Sequence, residues 1–232
     1  MKILAIECSS LSAGVAVTED SKVLGESFVN VGLTHSQTLM PMVEGVLKST
    51  ATDIQNIDVL SVSAGPGSFT GVRIGVSALK GLAYSHDKPC YSVSSLESIA
   101  YPFKSFDGVV CSVMDARCNQ VYTAFFENGK RLSDDDAVLI DDLKEKIVDL
   151  NKRVILAGDA VNLVYNKLKD EIDNIFLPDS QMQYAHASSV ALLTFEKLSS
   201  GEKTVNAKEL LPVYLRLPQA QRELNNKKTK GE

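Results

Sequence analysis

Three carboxylates, Glu7, Asp115 and Asp159, stand where apolar runs end. Carboxylates at strand ends can converge on a cleft and hold Mg²⁺ weakly. A plainer use is open to each: Asp115 can pair with Arg117 or a neighbouring turn, and the other two can cap helices. Histidine chemistry has less to work with. His35, His86 and His186 are never four apart, so no helix presents two imidazoles on one face to a metal. His35 reads as a helix-start or surface residue. Ser9, Ser10 and Ser68 lie in no Gly-x-Ser-x-Gly elbow, which argues against a serine hydrolase. Cys8, Cys90, Cys111 and Cys118 form no Cys-x-x-Cys pair and read as reduced thiols.

The segment Ser63–Tyr84, SAGPGSFTGVRIGVSALKGLAY, carries the strongest signal. A strand enters Gly65-Pro66-Gly67-Ser68 and a helix leaves it, an order that can cradle phosphate on free helix N–H groups. The spacing fails both familiar phosphate motifs. Five residues after Gly65 stand Thr70 and Gly71, with no lysine before Lys80, so a Walker loop is absent. The third glycine is one place late for a dinucleotide fingerprint, and the next strand end, Ser92-Val93-Ser94, offers no carboxylate. Within the helix, Val72, Val76, Leu79 and Ala83 make an apolar stripe that can seat it on a sheet. Gly71, Gly75, Ala78 and Gly81 make a second stripe of small residues. An interior glycine costs about 1 kcal/mol relative to alanine, and small side chains let another backbone approach closely. That backbone belongs either to the same lobe or to a second chain. The sequence offers no obvious internal partner, so docking is the expectation, with Gly71, Arg73, Gly75 and Ala78 as the residues to test.

The elements around this segment set its context. The 232 residues are 44% hydrophobic and 23% charged, ordinary for a globular chain with a real core. No run approaches the ~18 consecutive apolar residues of a membrane span. The apolar start ends at Glu7, too soon for an export signal, and a cytoplasmic protein is expected. Lys2–Cys8, Ala13–Thr18 and Val23–Val29 read as three strands, followed by a helix opened by Thr34-His35-Ser36-Gln37 with capping-box spacing. Strand, helix, strand and short helix then alternate up to Pro102. The second half repeats this order, with strands over Gly108–Asp115 and Gln120–Glu127, a short strand near Val138, and later strand–helix units ending in a helix over Ala187–Leu198. Three antiparallel strands followed by parallel crossovers define a ribonuclease-H-like or actin-like lobe. We expect an α/β fold of two such lobes with mixed sheets, residues 1–102 and 103–215, and a basic tail over 216–232. The net charge is −5, which gives no field for a polyanion outside that tail, where Arg216, Arg222, Lys227, Lys228 and Lys230 gather.

Ile3–Glu7, Gly65–Gly75, Val93–Glu97, Met114–Arg117 and Tyr214–Arg216 together resemble the TsaB (YeaZ) family, in order and over nearly the whole chain. The resemblance implies the actin-like (ASKHA) fold. It also implies a role in adding threonylcarbamoyl to adenosine 37 of tRNAs that read codons starting with A. It implies a non-catalytic subunit that pairs through first-lobe helices with a metal-bearing TsaD-like catalytic subunit, joined by a TsaE-like ATPase. Homodimers through the same helix are implied too. Actin-like ATPases place an Asp and a glycine turn after the first strand, whereas this chain has Glu7-Cys8-Ser9-Ser10. We therefore expect no cofactor on this chain alone, ATP only at a junction with partners, and tRNA contact through the complex. Competing readings are an independent actin-like phosphotransferase or peptidase, and an RNA-binding module that uses the basic tail.

Overall fold

The computed structural model describes residues 1–32 and 34–216. The expected basic tail, apart from Arg216, lies outside the described residues. The first lobe opens with β1 (Lys2–Glu7), β2 (Ala13–Glu19) and β3 (Lys22–Val29), then α1 (His35–Ser49), β4 (Val59–Ser63), α2 (Phe69–His86) and β5 (Cys90–Val93). The next helix, α3 (Ser95–Ala100), turns Leu96 and Ile99 onto Val110, Met114 and Phe126 of the second sheet. Its sheet runs β3-β2-β1-β4-β5, antiparallel across the first three strands and parallel across the rest.

The second half supplies β6 (Val109–Asp115), β7 (Gln120–Glu127), β8 (Lys130–Arg131), β9 (Asp136–Leu139), α4 (Ile140–Leu150), β10 (Val154–Ala157), α5 (Val161–Leu168), β11 (Ile175–Phe176) and α6 (Ala187–Ser199). Its sheet runs β11-β10-β6-β7-β8, with β9 also on β7. Again the early hairpin is antiparallel and the later strands are parallel. The two sheets therefore share one topology, and the chain is a two-lobed actin-like α/β fold.

Alternation along β1 explains why this sheet is buried on both sides. Leu4 and Ile6 point to one face, where Val43 and Val46 of α1 and Val72, Val76 and Leu79 of α2 cover them. Ile3 and Ala5 point to the other, against Val190, Ala191 and Leu193 of α6. The expected lobes 1–102 and 103–215 are thus corrected, because α6 belongs to the first although it follows the second, and α3 packs on the second although it precedes it. Its small, apolar face fits there, and the Thr194 and Ser61 hydroxyls hydrogen-bond at 2.6 Å beneath it. The chain stays with that lobe afterwards. Val205 bridges Cys90, and Leu210 enters the core shared by α1 and α2.

The capping box expected at α1 does not form. Thr34 is the N-cap, but its hydroxyl makes no cap bond, and the Gln37 N–H instead donates to the Thr34 carbonyl. At α2 the capping is regular: the Ser68 hydroxyl accepts from the Gly71 N–H at 3.2 Å.

Candidate functional site

Two surfaces come from these elements, a cleft between the lobes and a groove between α1 and α2. The cleft, about 430 Å³, lies between the turns after β1 and β4 on one side and the ends of β6 and β10 on the other. Ser9, Ser10, Ser68 and Thr70 face Asp115, Arg117 and Asp159 across it.

Glu7 lies behind this cleft rather than in it. The side chain is fully buried, and its Oε1 accepts from the Ser9 N–H at 2.6 Å and from the Ser9 hydroxyl at 2.5 Å. Burial raises its pKa above the ordinary carboxylate value, with the Ser9 bonds opposing the shift. Asp115 accepts from the Arg117 N–H at 2.7 Å and pairs with its guanidinium at 3.2 Å. Asp159 accepts from the Asp115 N–H at 3.1 Å. Each carboxylate organises a turn. Among the described residues, no group of three or more His, Cys, Asp or Glu is placed to hold a metal ion.

The turn after β1 is braced from within: the Ser9 N–H donates to Glu7, the Ser12 N–H to the Ser10 hydroxyl, and the Ser68 N–H to the Ser9 carbonyl at 2.6 Å.

Burial pushes the Asp159 carboxyl up to about 6; the bond from the Asp115 N–H opposes this, while the charges of Asp115 and Glu7 add to it. From about pH 4 to about 6 the folded chain retains a proton that the unfolded chain has lost, so stability falls as pH rises through that window. Replacing Asp159 with Asn keeps an acceptor for the Asp115 N–H and removes the charge. The expected gain at pH 7.5 is on the order of 2 kcal/mol, or about 5 °C in Tm, with no gain at pH 4. Equal shifts at both pH values in thermal melts would contradict this account.

The second surface belongs to α2. Gly71, Val72, Gly75, Val76, Leu79 and Ala83 are buried, while Thr70, Arg73, Ser77, Gly81 and Tyr84 are exposed. The small-residue stripe therefore divides, and the docking expectation for Gly71 and Gly75 is corrected. A Cβ on Gly71 would overlap the Cys8 carbonyl oxygen, and one on Gly75 would lie 2.5 Å from Cys8 Sγ. The backbone that nestles there is the chain's own, just past β1. The Cys8 thiol completes the contact by donating to the Gly71 carbonyl at 3.2 Å.

Arg73 and Ala78 do reach the outer side. With Ile74 and Ser77 of α2 and His35, Ser36, Leu39 and Met40 of α1, they line an apolar groove of about 330 Å³. Sequence reasoning missed Met40, Ser36 and Ser77. Met40 carried a signal, as a large apolar residue set off the stripe that buries α1. Arg73 has internal ties as well. Its guanidinium lies 3.7 Å from the centre of the Phe69 ring, and its Nε donates to the Tyr214 hydroxyl at 2.8 Å.

Two actin-like lobes, with a cleft between them and a groove between two helices of the first lobe, define an ASKHA-fold protein. Within that class, the chain belongs to the TsaB family. The TsaD family, described as tRNA N6-adenosine threonylcarbamoyltransferase, matches residues 30–223. The tRNA threonylcarbamoyladenosine biosynthesis protein TsaB of Bacillus subtilis is 33% identical over 95% of this chain and 96% of its own length. The protein of the same name from Escherichia coli is 30% identical over 93% and 95%. Among solved structures, YeaZ from Pseudomonas aeruginosa superimposes with a TM-score of 0.74 at 24% identity, covering 92% of this chain and 99% of that one.

Proposed function

We propose that this chain is a non-catalytic subunit of the apparatus that makes threonylcarbamoyladenosine in tRNA. It seats a TsaD-type catalytic subunit on the α1–α2 face. The observation that carries this reading is end-to-end similarity to proteins named for that biosynthesis. Two features support the division of labour: the Ser9 and Ser12 N–H groups after β1 are used internally, and an apolar groove lies open on the first lobe. A TsaE-type ATPase completes the assembly, tRNA is met through the complex, and ATP binds only at a junction with partners. A homodimer through the same face competes with the heterodimer. The work takes place in the cytoplasm; among the described residues, no helix is long and apolar enough to cross a membrane.

Mass spectrometry of nucleosides from treated tRNA tests this reading. The purified chain alone should yield no threonylcarbamoyladenosine and consume no ATP. The mixture with TsaD-type and TsaE-type subunits, supplied with ATP and an activated threonylcarbamoyl donor, should make the product, and omitting this chain should abolish it. Product from the chain alone would overturn the assignment.

A further inference from the structure

After Leu210 the chain crosses the front of the cleft as an extended strap. The Val213 N–H donates to the Ala64 carbonyl at 2.7 Å, which fixes the strap beside the end of β4. Contact is close there, since a Cβ on Gly65 would overlap the Val213 carbonyl oxygen. Tyr214 then packs against Phe69, with ring centres 4.7 Å apart and planes tilted by 35°, and takes the hydrogen bond from Arg73. Two residues on, the Arg216 guanidinium reaches the other lobe and donates to the carbonyls of Ala116 and Arg117. Those carbonyls belong to the β6–β7 turn, where Arg117, Cys118 and Asn119 all have left-handed backbone, φ +64°, +55° and +60°.

A second tie joins the two sheets elsewhere: Asp135, held by Arg131 at 2.5 Å, accepts from the Ser94 hydroxyl at the end of β5 at 2.7 Å. With that tie in place, the one through Arg216 limits how far the lobes open.

We propose that residues 210–216 are a latch on the cleft, and that Arg73 lets a docked partner control it. Arg73 lies on the rim of the α1–α2 groove and grips Tyr214, so one side chain touches both the docking face and the strap. A guanidinium carries five N–H donors, and the phenol takes one. A carboxylate on the partner would bind it more strongly than a neutral phenol does. A carboxylate that takes the Nε donor in place of the phenol draws Arg73 away from Tyr214, loosens the strap and frees the β6–β7 turn. Control by docking rests on the function proposed above; the latch itself does not.

Amide hydrogen exchange on the full chain separates the two claims. Arg216→Ala should speed exchange in the 116–120 turn about tenfold. Arg73→Ala, on the other lobe, should reproduce that change, and Tyr214→Phe should produce part of it. Wild-type rates in the turn for Arg73→Ala or Arg216→Ala would overturn the latch. Adding a TsaD-type subunit should slow exchange along α1 and α2 while speeding it at 213–216 and 116–120. Protection of the helices with an unchanged or slowed strap would overturn the control. No protection of the helices would remove the docking reading and the control with it, leaving the latch to stand or fall on the variants.

Discussion

Replacing Gly75 with leucine should lower the midpoint of thermal unfolding by roughly 6–12 °C. Overfilling a packed site costs about 3 kcal/mol, and a chain of this size loses about 2–4 °C per kcal/mol. The cause is Cys8. Even a methyl group at 75 would stand 2.5 Å from its sulfur, with Val62 and Ile6 at 3.5 and 3.6 Å behind. Gly75→Ala should therefore be destabilising, although alanine is the better helix former by about 1 kcal/mol. In a Cys8→Ala background the sulfur is gone, and Gly75→Ala should become neutral or stabilising. A double-mutant cycle in urea would measure the coupling, expected to be about 1 kcal/mol or more. An unchanged midpoint for Gly75→Leu, together with lost pairing, would restore the glycine to the docking face and refute the packing described above.

Charge on the outer side of α2 should have the opposite profile. Ala78→Arg, and the more exposed Ser77→Arg, should weaken pairing with a TsaD-type subunit by about thirtyfold or more, since an unpaired charge buried on docking costs about 2–5 kcal/mol. Both residues line the groove. Melting of the isolated chain should move by only about 1–2 °C for Ser77→Arg, a surface change. Isothermal titration calorimetry reads the heterodimer, and sedimentation the homodimer. Undiminished pairing of Ser77→Arg by both methods would move the interface elsewhere.

Element order was legible because each strand and crossover carried its own periodicity, from the alternation in Ala13–Thr18 to the apolar stripe of α2. The side of α2 that meets another chain was less so. Gly71 and Gly75 lie beside Val72 and Val76 on one broad arc, and composition cannot say whether the backbone admitted there is the chain's own. The residue they admit, Cys8, is more than sixty positions away in sequence and arrives only through the pairing of β1 with β4. The carboxylates were legible by position but not by use. Glu7 is adjacent to the cleft yet turned inward by Ser9, a two-residue contact that no spacing rule announces. The home of α6 was hidden for a similar reason, since an apolar face does not name the sheet it will cover.

The place of α6 bears on the order in which the molecule can be completed. During synthesis all five strands of the first sheet leave the ribosome well before the helix that shields Ile3, Ala5 and Val59. Until then one side of that sheet stays wet, an exposed apolar surface of the kind that invites aggregation. Maturation of the first sheet therefore waits for a helix made after the strands of the second, and a polypeptide released before that helix would carry an unfinished face that chaperones and proteases can recognise.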